Sequence, residues 1–183
     1  GLLGDERTER GLWQQFRATP EARSHPSIVL LGSSGFSAQL AGILGLPFGF
    51  AHHFDMGGTI EAVGIYLDAF EPSALLDAPY TLVTASAIAA DTTDEARWLA
   101  GPAQLRRYGI RTGRFLPLIP PEQAAAHPDF PAALTMPTAA IVGTPDEVVD
   151  GLDDLAQRTG ASELMLFTAT HGLPERLKSL ELV

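Results

Sequence analysis

Four consecutive apolar residues, Ile28 to Leu31, form a run too short for a helix and suited to a strand buried on both faces. A turn of small residues, Gly32-Ser33-Ser34-Gly35, follows it. Behind the turn, Phe36, Leu40, Ile43 and Leu44 recur at i, i+4, i+7 and i+8, which predicts a helix with those four on its inner side, stopped at Gly45. Leu46 to Ala51 predicts a second strand, and His52-His53 stand where it ends. A strand–loop–helix–strand unit sets two parallel strands side by side through a right-handed crossover.

The same alternation continues along the chain. Ahead of the unit, residues 1–26 are polar and charged; Glu6 to Arg17 predicts a short surface helix on a linker broken by Pro20 and Pro26. After it, a loop leads to a helix over Thr59 to Phe70, with Thr59 as N-cap and Ile60, Val63, Leu67 and Phe70 as its stripe. Tyr80 to Ala90 is the third strand. Its small residues Ala85, Ser86 and Ala87 either fill a crowded core or leave room for a flat ring. Thr92 to Arg107 reads as a helix opened by the capping box Thr92-x-x-Glu95, with Ala96, Leu99 and Ala103 inward. Residues 108–138 are rich in proline, and a connection of about 30 residues predicts a mobile loop insertion. Arg107, Arg111 and Arg114 there either reach an anion or form a solvated basic cluster. The final unit starts at Thr144-Pro145-Asp146-Glu147, a capping box with proline at the first helical position. Val148, Leu152 and Leu155 give its buried stripe and Gly160 its end. A last strand, Glu163 to Thr168, carries Thr168, Thr170 and His171 at its carboxyl end, before a closing helix over Leu173 to Leu180. The fold class is therefore α/β, with about four βα units.

Composition narrows the possible partners. A chain of 183 residues, 45% apolar and 19% charged, can bury one globular core and reads as one domain. Its formal charge of −10 argues against a nucleic-acid surface or an anionic membrane, while leaving room for a local phosphate pocket. There is no cysteine, hence neither disulfides nor thiolate ligands. No apolar run reaches the ~18 residues of a membrane span, and no basic-then-apolar leader opens the sequence. The expectation is a cytoplasmic protein acting on a small molecule, with no nucleic-acid or membrane partner.

Candidate chemistry gathers at the strand ends. Ser33, Ser34 and Ser37 surround the first N–H groups of a helix, which lack internal partners and carry the positive end of its dipole, an arrangement suited to phosphate. Simple capping by Ser34 or Ser37 is the structural alternative. Adjacent histidines on a strand point to opposite faces, so His52 and His53 do not share a metal. His52-x-x-Asp55 adds one ligand where a site needs three or more, and no metal is expected. Gly32-Ser33-Ser34-Gly35 falls one residue short of a nucleophile elbow, which removes a serine–histidine–acid triad. In a parallel βα array, functional groups sit at the carboxyl ends of the strands. Ser33 to Gly35, His52-His53, the turn after the third strand and Thr168 to His171 would then share one rim, suiting a phosphorylated cofactor anchored at the first loop.

The run LLGSSGFSAQLAGILGLPFGFAHHF (30–54) resembles the fifth strand, phosphate loop and sixth strand of the bacterial luciferase-like flavin-dependent monooxygenase family. A second stretch, VGTPDEVVDGLDDLAQRTGASELMLFT (142–168), is similar to the segment leading into that family's eighth strand. The resemblance implies the second half, strands 5–8, of a TIM (βα)8 barrel, with residues 108–138 as the insertion that covers the flavin. It implies oxidation of an organic substrate with O2 and reduced FMN, the latter supplied by a separate flavin reductase; F420 is the alternative, since related barrels use it. By position, Ser34 and Ser37 match the phosphate-contacting side chains, Gly35 and Phe36 offer backbone N–H groups, and Ser33 stands where many members carry glutamate. One of His52 and His53 is expected at the rim as a catalytic residue touching flavin or substrate. Four parallel strands leave two open edges, which implies a homo-oligomer or a missing N-terminal half. A flavin-binding or oligomerising remnant without turnover is the competing reading.

Overall fold

The computed structural model describes residues 26–54 and 57–183, so the predicted N-terminal surface helix and Asp55 lie outside the described residues. Among the described residues, five strands and seven α-helices follow one another: β1 (Leu30–Gly32), α1 (Gly35–Ile43), β2 (Phe48–Phe50), α2 (Thr59–Ala69), β3 (Thr81–Ala89), α3 (Thr93–Arg111), α4 (Pro121–Ala125), α5 (Phe130–Leu134), β4 (Ile141–Gly143), α6 (Pro145–Thr159), β5 (Glu163–Phe167) and α7 (Leu173–Glu181). Every strand pairing is parallel. β1 pairs with β2, and β2 with the start of β3. β5 pairs with Leu82 to Ser86 of β3, and the short β4 runs beside Ala87 to Ala89 at its carboxyl end. The order β1-β2-β3-β5 matches the parallel half barrel expected from the sequence; β4 is an addition that three residues of pattern did not announce.

The central strands are buried and the outer ones are not. Phe48, Phe50, Val83, Ala85, Ala87 and Ala89 belong to the main core with Tyr66 and Val148. Phe48 lies 5.5 Å from the Tyr66 ring, and the Tyr80 N–H donates to the Tyr66 hydroxyl at 2.9 Å, so a buried phenol ties α2 to the entry of β3. By contrast, Leu31 on β1 is 65% exposed, and Met165, Leu166 and Phe167 on β5 are exposed too.

Helix α1 turns the other way from its sequence expectation. Phe36, Leu40, Ile43 and Leu44 are exposed, Phe36 at 76%, while Ala38, Ala41 and Gly42 are buried. The cause is close approach to α2: a Cβ on Gly42 would stand 2.9 Å from the Ala69 backbone and the Tyr66 carbonyl oxygen. Only small residues fit that crossing, so the bulky stripe faces outward. Helix α2 likewise buries Thr59, Ala62, Val63 and Tyr66, leaving Ile60 and Leu67 exposed, and its N-cap is Gly58 at φ 77°, not Thr59.

Residues 108–138 hold more order than a loop. α3 continues past Pro102 to Arg111, and α4 and α5 pack on it through a second small core of Leu105, Ala124 and Ala133. The final unit follows the sequence closely: Thr144 and Glu147 form both halves of a capping box, Val148, Leu152 and Leu155 are buried, and Gly160 closes α6 at φ 62°. α7 is pinned across the end of β3, where the Ala89 N–H donates to Ser179 Oγ at 2.9 Å and Lys178 Nζ meets Asp91 at 2.6 Å. Among the described residues no helix is long and apolar enough to cross a membrane.

Candidate functional site

The serine turn joins β1 to α1 without committing its hydroxyls to the helix. Ser34 is the N-cap, in extended conformation, yet its side chain makes no capping hydrogen bond. Ser37 Oγ donates to the Ser34 carbonyl at 3.0 Å, leaving the N–H groups of the first turn uncapped by side chains. No acidic residue stands in that turn to offset the positive end of the dipole. Gly32 is required by packing: a Cβ there would collide with Ser37 Oγ. Ser33 and Ser34 are exposed, with Ser33 on the wall of a cavity of about 540 Å³.

That cavity lies between the carboxyl ends of the strands and helix α3. From the sheet come Ser33, His53, Ser86, Ile88 and Phe167. β3 thus divides its small residues by strand alternation: Ala85, Ala87 and Ala89 fill the core, while Ser86 and Ile88 face the cavity. From α3 come Ala100, Ala103, Gln104, Arg107 and Arg111, a single helical stripe, with Arg106 at its border. Gln104 Nε2 donates to the carbonyls of Ala133 and Met136 at 3.1 and 3.4 Å, fixing this wall to α5.

The two histidines part company because residues 52–54 form a 3₁₀ turn instead of the end of a strand. His52 Nδ1 is 2.8 Å from Thr59 Oγ1, so its ring is engaged at the first turn of α2. His53 lines the cavity, stacked 4.3 Å from Phe54 and 5.6 Å from Phe167. Its Nδ1 is buried with no hydrogen-bond partner, and burial pushes its pKa below the ordinary histidine value. At neutral pH it is therefore an uncharged ring whose Nδ1 is sealed from solvent.

Other candidates at the rim have structural partners. Thr168 Oγ1 donates to the Ala87 carbonyl at 2.9 Å, and Arg176 donates to the Thr170 carbonyl at 2.9 Å. Arg114 is drawn off by Asp129 at 2.7 Å, so of the three arginines singled out in sequence only Arg107 and Arg111 line the cavity. Gln104 and Phe167 were not foreseen; Gln104 lies within the helix the sequence predicts, but its inward face was drawn through Ala96, Leu99 and Ala103, not through the i, i+3, i+4, i+7, i+11 stripe from Ala100. Among the described residues, no group of three potential ligands is placed to hold a metal.

No family model matches the chain. Individual relatives do. It is 39% identical over 92% of its length to the uncharacterized protein YvbT of Bacillus subtilis (strain 168), and 38% identical over 84% to a luciferase-like monooxygenase of Escherichia coli (strain K12). The chain covers 52% and 47% of those proteins, spanning about half the length of the curated relatives it matches. The crystal structure of apo-MsnO8 superposes with a TM-score of 0.81 at 32% identity, over 91% of this chain and 52% of that one. Two further structures share the fold at lower identity. An oxygenating constituent of 3,6-diketocamphane monooxygenase in complex with FMN from Pseudomonas putida gives a TM-score of 0.53 at 21% identity, covering 86% of this chain and 47% of that one. A coenzyme F420-dependent tetrahydromethanopterin reductase from Methanopyrus kandleri gives 0.56 at 19%, covering 85% and 48%. The chain belongs to the luciferase-like monooxygenase family and represents a partial barrel of it.

Proposed function

We propose that this chain carries the phosphate loop and much of the reaction cavity of a flavin-dependent monooxygenase that oxidises a small organic substrate with reduced FMN and O2. The observation that supports this most directly is the start of α1: an N-cap serine whose hydroxyl is not spent on the helix, with no acid in the first turn, beside a cavity at the strand ends. The donor set fits a phosphomonoester, because backbone N–H groups and short hydroxyls at a helix N-terminus are what such a dianion needs. Ser34 would donate from its side chain, Gly35 and Phe36 from the backbone, and Ser33 from the cavity edge; Ser37 would donate by exchanging its bond to the Ser34 carbonyl for one to the phosphate. The name of the Escherichia coli relative supports the reaction class, and the FMN in the diketocamphane structure supports the cofactor.

Reduced flavin, when bound, supplies the two electrons with which one atom of O2 enters the substrate and the other leaves as water. The residues of this chain bind, orient and exclude water. Phe167, Ile88 and Phe54 make the cavity walls apolar, which keeps water from competing at the reacting centre. His53, uncharged and tilted against Phe54 and Phe167, would be the imidazole on the cavity wall that touches flavin or substrate. His52 is left to hold the start of α2.

The other half of a barrel, or a second copy of this chain, would close the open edges at β1 and β5, and a separate reductase would deliver the reduced flavin. F420 is the second reading, favoured by the Methanopyrus kandleri neighbour. The test is titration of the purified chain with FMN, F420 and riboflavin by isothermal calorimetry. FMN binding with riboflavin at least tenfold weaker supports the reading, F420 in preference to FMN moves it to the deazaflavin, and equal affinity for FMN and riboflavin overturns the phosphate loop. Binding of FMN without substrate-dependent oxygen uptake, once a reductase and the relatives' other half are supplied, would mark a non-catalytic remnant.

A further inference from the structure

We infer that Ser86 sets the substrate specificity of the cavity: its hydroxyl selects an uncharged molecule with an apolar body and a single carbonyl or hydroxyl group. The inference rests on the flavin reading above and adds to it the class of molecule oxidised. Three observations converge. Strand alternation turns Ser86 away from the core that holds Ala85 and Ala87 and onto the cavity wall, where the residue is only 8% exposed. Among the described residues its hydroxyl makes no hydrogen bond. The other polar side chains on the wall are mostly spent. Thr138 Oγ1 accepts the Ala140 N–H at 3.0 Å, the Gln104 amide donates to Ala133 and Met136, and Arg107 and Arg111 have partners of their own.

On the sheet, the surroundings of Ser86 are apolar. Phe167 is its register partner on β5, Ile88 follows two residues on with its side chain on the same face, and Val142 of β4 pairs with Ile88. A molecule that fills the cavity displaces water from this wall, and a hydroxyl then left without a partner weakens binding by about fivefold or more. An occupant that returns one hydrogen bond avoids that loss, which is how a site with a polar group rejects the analogue lacking its partner. The hydroxyl both donates and accepts, so a carbonyl and an alcohol serve equally. The flavin ring matches this wall poorly: its polar edge carries several donors and acceptors, and a lone hydroxyl among apolar side chains would leave most of them unpaired. A cavity of about 540 Å³ is within the range of small-molecule sites.

The experiment compares 2-acetylnaphthalene with 2-ethylnaphthalene, two molecules of nearly one shape that differ in a carbonyl, on the 183-residue protein with and without saturating FMN. The quantity read by fluorescence titration is the ratio of ketone to hydrocarbon affinity. In Ser86→Ala that ratio is expected to fall at least about fivefold, through loss of ketone binding with the hydrocarbon unaffected, in both conditions. The melting temperature stays within a degree or so, because no hydrogen bond within the protein is lost. Thr144→Ala, which removes a hydroxyl outside the cavity, leaves the ratio as it was. A ratio untouched by Ser86→Ala, or binding of neither probe, overturns the inference. So does a clear drop in melting temperature in Ser86→Ala, which would make the hydroxyl structural. An equal loss of FMN and riboflavin affinity in Ser86→Ala also overturns it, by giving the hydroxyl to the flavin ring. Failure of the flavin reading is seen separately, as equal affinity of the unmodified chain for FMN and riboflavin, while the ratio in flavin-free protein still stands or falls on Ser86.

Discussion

Helices α1 and α6 both begin behind a hydroxyl residue in extended conformation, Ser34 and Thr144. At α6 the cap is closed from both sides. Thr144 Oγ1 accepts the Glu147 N–H at 3.4 Å, Glu147 Oε2 accepts the Thr144 N–H at 2.8 Å, and the Thr93 hydroxyl donates to the same carboxylate at 2.7 Å. Two acids, Asp146 and Glu147, lie against the dipole. At α1 the cap hydroxyl is idle, the first turn has no acid, and Ser37 bonds a carbonyl, not an N–H. One helix start is completed from within; the other, on the function proposed above, would be completed by the phosphate of a bound flavin. The difference separates a hydroxyl that stabilises the fold from one available to a ligand, although both read as N-caps.

Five changes would break or sharpen that contrast. The largest effect is expected from Ser34→Ala/Ser37→Ala, which removes two hydrogen bonds to a charged phosphate worth about 1.5–3 kcal/mol each. FMN affinity should fall by about 100-fold or more in a fluorescence titration, with riboflavin affinity and the melting temperature nearly unchanged. A fall in melting temperature as large as that of a lost cap would make Ser34 an ordinary structural residue. Next, Gly32→Val drives a side chain into Ser37 and should cost about 1–3 kcal/mol in urea unfolding, as overpacking does, along with FMN affinity. Thr144→Ala should cost about 1 kcal/mol by the same measurement and leave FMN binding intact, the reverse of the serine pair.

The smallest effects are in pH dependence. Hydrogen bonds from the Thr144 N–H and the Thr93 hydroxyl hold the Glu147 carboxyl below its ordinary value. Its contribution to stability is present above pH 4.5 and is lost as pH falls through the lowered value; Glu147→Gln should flatten that part of the unfolding profile. His53, pushed down by burial, works in a higher window: the folded state resists its protonation, so stability declines as pH drops below 6.5. His53→Gln should remove that decline in thermal melts, and an unaltered profile would place the ring in water.

The α6 start was legible in the sequence because a capping box is local: four consecutive residues contain all of it. The parallel order of strands was legible for a similar reason, through short apolar runs alternating with helical spacing. The inner face of α1 was not, because its choice of Ala38, Ala41 and Gly42 over Phe36 and Leu40 is dictated by how near α2 comes, a property of two helices. The α3 wall was missed for a different reason: the sequence carries the helix through Gly101 and Pro102 but stops it at Arg107, and its inward face was drawn through Ala96, Leu99 and Ala103, not along the stripe that ends at Arg111. The histidine pair showed only that one ring would face the rim; which one depended on a 3₁₀ turn.

The small core of Leu105, Ala124 and Ala133, with Tyr108, Leu116, Ile119 and Phe130 packed around it, stands apart from the main core. A cluster of this kind behaves as a cooperative unit of its own, with an opening free energy below that of the whole fold. Backbone amides of α4 and α5 should therefore exchange with deuterium well before those of β2 and β3. Since α3 belongs to this unit as well as to the cavity wall, opening of the unit would open the cavity from the α3 side while the sheet stays in place.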